Sequence, residues 1–153
     1  MRGRISKHFL AGNEPPGTTL SLVRRVMRLI LAGFYLVAGL LHLVFPSSFL
    51  PIMPDWVPHA RAVIEGTGWC EIAGAIGLIH PSTRKIAGAM LALYAICVYP
   101  ANLKHAFQHV DVQGLPSSWL YHGPRLALQP ILVWWSFLSS GWVSWPFSSL
   151  RSR

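Results

Sequence analysis

The stretch Leu29 to Phe45, LILAGFYLVAGLLHLVF, decides the fold of this chain. It contains no charged side chain, and only one tyrosine and one histidine interrupt its apolar surface. A helix on the surface of a soluble protein keeps a polar stripe, whereas a helix in lipid is apolar on every side. The stretch therefore predicts a transmembrane helix and argues against a soluble four-helix bundle.

The composition of the whole chain agrees with a membrane protein. Of its 153 residues 52% are apolar, which is more than a globular core of that size can hide. The net charge is +8, but the basic residues lie between the apolar stretches, where lipid headgroups lie, and form no stripe interleaved with exposed aromatic residues. We expect the lipid bilayer as a partner, and no nucleic acid.

Three further apolar stretches follow the first and complete a set of four spans, about 29–45, 62–79, 86–102 and 126–145. At about 1.5 Å per residue each can cross a hydrocarbon core of roughly 30 Å. Ten of the thirteen Lys and Arg residues fall on one side of these spans. The positive-inside rule then predicts an all-α integral membrane four-helix bundle, N-in/C-in. We expect a disordered cytoplasmic segment at 1–21, a membrane domain at 22–147 and a cytoplasmic tail at 148–153.

Polar residues gather in the non-cytoplasmic half of this predicted bundle. Glu71 lies about 13 Å below the start of its span, near mid-bilayer, where a charge costs about 2.5–3.5 kcal/mol. We therefore expect it to be partnered, protonated or exposed to a water-filled cavity. By depth it matches His42 and Gln129, whereas Glu65 better matches Arg125 or simply reaches the interface. We predict a ligand-binding or proton-handling cluster, with a structural buried hydrogen bond as the alternative for Glu71. Its members are Glu71, Arg125, Gln129, His42 and Asn102.

Other side chains give weaker indications. His105 and His109 have the spacing of two metal ligands on a helix, but no acidic residue adjoins them, so we expect no metal site. Cys70 and Cys97 lie in apolar runs without a C-x-x-C pattern, which favours packing residues over a redox pair between two helices.

Two features bear on how the helices and loops pack. Gly66, Cys70 and Gly74 recur every four residues and, with the further small residues Gly77 and Gly88, predict close helix contacts. The proline-punctuated segment PSSFLPIMPDWVPHAR, 46–61, cannot form one long helix. We expect it along the outer surface, as an interfacial anchor or as a lid over the polar cluster.

Several short motifs together resemble the DoxX family of small four-span bacterial membrane proteins, over about Arg28 to Trp135. They are AGLLH with a following proline (38–46), MP with a second proline (53–58), G-x-x-E-x-x-G-x-x-G-L (68–78), YPAN (99–102) and R-L-x-L-Q (125–129).

The resemblance implies a multi-pass protein of the bacterial inner (plasma) membrane, in a family named for a subunit linked to thiosulfate oxidation with quinone as acceptor. We therefore expect a redox-associated membrane subunit that binds a quinone or another small amphiphile at the polar cluster, with no cofactor bound covalently. Its partner would be a membrane oxidoreductase complex or a second copy in a homodimer. The alternative is a non-enzymatic small-solute carrier or binder, or a scaffold for a membrane complex. Whether the chain is an enzyme, and which residue would be catalytic, are left open.

Overall fold

All regular structure in the described part of the chain is helical. The computed structural model describes residues 19–108 and 118–146, and these contain no β-strand. The all-α prediction is therefore confirmed for them. The helices are α1 Thr19–Val44, α2 Pro46–Phe49, a 3₁₀ turn Leu50–Ile52, α3 Ala60–Ile79, α4 Arg84–Cys97, α5 Tyr99–Phe107 and α6 Trp119–Ser140.

Three helical stretches among the described residues are long and apolar enough to cross a membrane: Ser21–Val44, Ala60–Ile79 and Arg84–Phe107, the last of which joins α4 to α5. Helix α6 is long enough, but it carries two internal prolines and several polar side chains that lower its hydropathy. It also begins earlier and ends earlier than the span expected at 126–145. Its end is set by Gly141, whose φ of 89° closes the helix in the left-handed region that glycine adopts without strain.

The expected terminal segments lie mostly outside the described residues. Of the cytoplasmic segment predicted at 1–21, only the last three residues are described, and they begin α1. The tail predicted at 148–153 lies wholly outside.

Four helices pack in a closed ring. Helix α1 contacts α3 and α6, and α4 contacts the same two helices from the other side. The shared interior is apolar; its fully buried members include Leu31, Leu78 and Leu91, one from each of α1, α3 and α4. Helix α5 continues from α4 after a break at Val98 and reaches α6 and the 3₁₀ turn.

Glycines set close helix contacts, as predicted at Gly74, Gly77 and Gly88 and also at two glycines that were not predicted. Gly39 of α1 faces Gly68 of α3, and a Cβ built at Gly39 would lie 2.7 Å from the Gly68 carbonyl oxygen. The predicted stripe is wrong in part: Gly66 faces open space and Cys70 is exposed, and only Gly74 makes a close contact. The reason is that α3 buries a different face.

That buried face has the spacing of four and three residues typical of a helix packed on one side. Its members are Ile64, Gly68, Glu71, Ala75 and Leu78.

Basic and aromatic side chains tie α1, α4 and α6 together at one end of the ring. Near the start of α1, Arg28 donates to the Ser139 carbonyl in the last turn of α6 at 2.9 Å, and Arg24 donates to the Val143 carbonyl, three residues beyond the end of α6, at 3.0 Å. Cations are favourable there because the last carbonyls of a helix have no partners within the helix. In addition, the Trp142 indole donates to the Lys85 carbonyl at the start of α4.

The close contact of α1 with α3 is testable with one alanine. Gly39→Ala places a Cβ against the backbone of α3, so we expect the free energy of unfolding to fall by about 1–3 kcal/mol. Gly33→Ala is the matched control, because a Cβ there meets nothing within 4 Å. Thermal unfolding in mild detergent compares the two. Equal midpoints for the two variants would contradict the contact.

Candidate ligand-binding cavity

A cavity of about 440 Å³ lies between α1, α3, the α4–α5 break, α6 and the proline-punctuated segment. Its walls are mostly apolar and include Phe34, Phe49, Trp56 and Leu132. All five residues predicted to bind a ligand or handle protons line it: His42, Glu71, Asn102, Arg125 and Gln129. The structure thus brings the whole predicted cluster to one cavity, while the role of each member stays a prediction.

The Glu71 carboxylate is paired across the contact of α1 and α3. Glu71 is only 3% exposed, and its Oε2 lies 2.6 Å from Nδ1 of His42. Gly39 lies opposite Glu71 and Gly68 lies opposite His42, so a Cβ on either glycine would come within 3.2 Å of the facing residue's Cβ. The two glycines therefore provide the space in which the pair sits. This contact confirms the predicted match of Glu71 with His42.

Arg125 is not paired with Glu65, so of the two alternatives for Glu65 the pairing is wrong and the exposed position is the one observed. Glu65 accepts a hydrogen bond from Arg61 one turn before it, at 3.0 Å on the exposed face of α3. Arg125 instead contacts Nδ1 of His105, and its guanidinium lies 5.8 Å from the centre of the Tyr121 ring. Arginine is always protonated and can only donate, so Nδ1 of His105 accepts and the imidazole is neutral.

Gln129 donates a hydrogen bond to a backbone carbonyl near the end of α4, in the wall of the cavity. Its Nε2 donates to the Ala95 carbonyl at 2.8 Å, in a buried contact between α6 and α4. Ala95 lies in the last turn of α4, whose carbonyls lose their regular partners at the break before α5. No contact joins Gln129 to Glu71 among the described residues, although depth had matched them. Asn102 of α5 lies half-buried on the same cavity.

The proline-punctuated segment forms one wall of the cavity. Its lining residues are Phe49, Ile52, Met53 and Trp56. The centres of the Phe49 and His42 rings are 4.2 Å apart. Lys104 of α5 holds the segment in place by donating to the Met53 carbonyl and to the Asp55 carboxylate, each at 2.6 Å. The segment therefore covers the polar residues on one side.

Three polar lining residues were missed by reasoning from the sequence: Tyr35, Thr67 and Tyr94. Helical spacing could have found the first two. Tyr35 lies seven residues before His42 and Thr67 lies four before Glu71, so each shares a helix face with a predicted cluster member. Tyr94 lies eight residues before Asn102, but the break at Val98 interrupts the helix between them.

Cys70 and Cys97 are free and both are exposed, so neither is the interior packing residue that was expected. Cys97 also lines the cavity. No group of three or more His, Cys, Asp and Glu residues that could hold a metal occurs in residues 19–108 and 118–146. The spaced pair His105 and His109 is not testable, because His109 lies outside the described residues.

The two hydrogen bonds of Lys104 predict that this residue holds the proline-punctuated segment against the cavity. Lys104→Met removes both hydrogen bonds, so we expect faster amide hydrogen exchange across residues 46–59. Asp55→Asn leaves the Met53 bond in place, and since Asp55 is exposed we expect at most about 1 kcal/mol of lost protection. Lys85→Met at the opposite end is the control. Unchanged exchange of the segment in Lys104→Met would contradict its attachment by this residue.

Comparison with known proteins places the chain in one family. No curated protein and no solved structure matches the chain. A family model described as a domain of unknown function, DUF8561, matches residues 31–140. That range covers more than half of the chain and contains all five predicted cavity residues. The chain therefore belongs to the DUF8561 family.

Proposed function

We propose that this chain is a four-span protein of the bacterial inner membrane, N-in/C-in, that binds a quinone or a similar small amphiphile in the cavity. It acts as a redox-associated subunit. Its partner is a membrane oxidoreductase complex or a second copy of the chain. The observation that carries the proposal is the convergence of five polar residues from four helices on one cavity with apolar walls.

The surface of the ring supports the membrane setting. In the most apolar 18-residue stretch of α1 only 22% is buried within the protein, and in that of α3 only 28%. The remaining apolar surface is unfavourable in contact with water and favourable in contact with lipid. Helix α6 completes the ring as a fourth span, because its polar Gln129 and His122 are buried against neighbouring helices and away from lipid.

The position of the basic residues supports the orientation. Arg24, Arg28 and Lys85 meet at the end where α1 and α4 begin and α6 ends. The cavity residues lie toward the opposite end of the helices. By the positive-inside rule the basic end is cytoplasmic, which puts the cavity in the outer leaflet.

The chemistry of the cavity suits a quinone. A quinone ring is flat and apolar, and its two carbonyl oxygens need hydrogen-bond donors. Phe34, Phe49 and Trp56 provide aromatic walls, and the Arg125 guanidinium provides donors. Beside them, the His42–Glu71 pair is a proton acceptor and donor within the same cavity, and quinone reduction consumes protons along with electrons.

The motifs behind the DoxX resemblance support the same proposal. Each of the five supplies residues to the cavity: His42 from AGLLH, Met53 from the MP motif, Glu71 from the glycine-rich motif, Asn102 from YPAN and Arg125 from R-L-x-L-Q. Residues that carry the resemblance are thus those that a shared binding site would need.

A second candidate is a non-enzymatic small-solute carrier or binder, or a scaffold. The observation that favours it is the pairing of His42 with Glu71 inside the protein. A buried carboxylate with its own partner can fix the register of α1 against α3 without handling protons.

Filling the cavity tests the proposed binding. Ala38 lines the cavity, so Ala38→Phe should weaken the binding of 1,4-naphthoquinone to the purified protein by about tenfold or more. Ala62→Phe is the control, because Ala62 is exposed and does not line the cavity. Calorimetric titration in detergent gives both affinities. Equal loss in the two variants, or none in either, would rule out this site.

A conservative change at Glu71 separates the two candidates. Glu71→Gln keeps an acceptor for His42 but cannot exchange a proton at neutral pH. For a redox-associated subunit we expect cell membranes carrying the variant to reduce added naphthoquinone about 10²-fold more slowly. The affinity for naphthoquinone should be nearly unchanged. Glu65→Gln, which alters the exposed pair with Arg61, is the control. A normal rate for Glu71→Gln would favour the carrier or scaffold.

A further inference from the structure

The charge of Arg125 points to the kind of ligand that the cavity prefers. The described residues contain three carboxylates, and each is close to another basic residue: Asp55 to Lys104, Glu65 to Arg61 and Glu71 to His42. No carboxylate pairs with Arg125 in residues 19–108 and 118–146. Its contacts are the neutral His105 imidazole and the Tyr121 ring.

The surroundings of Arg125 make the lack of a negatively charged partner energetically unfavourable. The guanidinium is half-buried on a cavity whose walls are mostly apolar. A cation in a medium of low dielectric constant loses favourable hydration, and hydrogen bonds to neutral groups return only part of it. Within the cavity, Glu71 does not supply the missing charge, because its carboxylate lies against His42. An anion from outside the chain would complete the site.

The geometry of a guanidinium fits a particular anion. It presents five N–H donors in a planar fork, of which His105 Nδ1 accepts from one nitrogen. The remaining donors suit a carboxylate or an enolate oxygen next to a carbonyl, which can accept two hydrogen bonds side by side. A neutral carbonyl accepts the same bonds but leaves the charge uncompensated.

We propose that the cavity prefers an anionic aromatic amphiphile, an acidic hydroxyquinone or an aromatic carboxylate, with its anionic group at Arg125 and its ring against the aromatic walls. This inference rests on the proposed binding of a quinone-like amphiphile and specifies its charge. The aromatic walls that select a flat ring are Phe34, Phe49 and Trp56.

A pair of ligands that differ in one hydroxyl group tests the preference. 2-Hydroxy-1,4-naphthoquinone is an anion at neutral pH, whereas 1,4-naphthoquinone is neutral and nearly the same size. We expect the full chain, in nanodiscs of zwitterionic lipid, to bind the anion about tenfold more tightly. Calorimetric titration measures both affinities, with empty nanodiscs subtracted for partitioning into lipid.

Substitutions at Arg125 assign the preference to its charge. Arg125→Gln should bind both ligands equally, at about the wild-type affinity for the neutral one. Arg125→Lys keeps the charge and should keep most of the preference, which also shows that the position tolerates change. Arg61→Gln, on the exposed face of α3, should behave as the wild type.

The outcomes separate this inference from the proposal on which it rests. Binding of both ligands with equal affinity by the wild type, or an anion preference that survives in Arg125→Gln, overturns the inference and leaves the quinone site standing. Binding of neither ligand overturns both.

Discussion

The hydrogen bond between the buried side chain of Glu71 and His42 fixes how α1 packs against α3, and the other helices pack around that pair of helices. A carboxylate 3% exposed in an apolar bundle must have a partner, and that partner, His42, comes from the neighbouring helix at 2.6 Å. The two side chains meet because α1 and α3 approach through Gly39 and Gly68, each opposite one member of the pair. Packing and polar chemistry are therefore linked here, because the small residues that let the backbones approach also bring the two side chains within hydrogen-bond distance.

The cavity follows from the same arrangement. Once α1 and α3 are in contact at His42 and Glu71, the α4–α5 break and the first turns of α6 form the opposite walls. Near the break, the Ala95 carbonyl accepts a hydrogen bond from Gln129, and beyond it Lys104 of α5 holds the proline-punctuated segment. The binding site thus combines an interruption of regular helix structure, the break before α5, with polar side chains that face inward from within α1, α3 and α6.

The two charged groups of the cavity differ in how they are balanced. Glu71 has a basic partner within the chain, whereas Arg125 contacts a neutral imidazole and an aromatic ring. An internally balanced group can fix helix register, and an unbalanced cation attracts a ligand of opposite charge. This difference connects the helix packing of the chain with the kind of small molecule that we propose it binds.

The helical class, the apolar stretches and the residues of the polar cluster could all be predicted from the sequence, because hydropathy and helical period are local properties of the chain. The folded chain was needed to fix the partners, since depth along the helices left His42 and Gln129 both open for Glu71. It joined Glu71 to His42 and Arg125 to His105, and it placed Glu65 on an outer face with Arg61. Depth along a helix can be counted from a sequence, but the rotation of one helix against another cannot. That rotation is set by which small side chains allow backbones to approach, and it therefore required the folded chain.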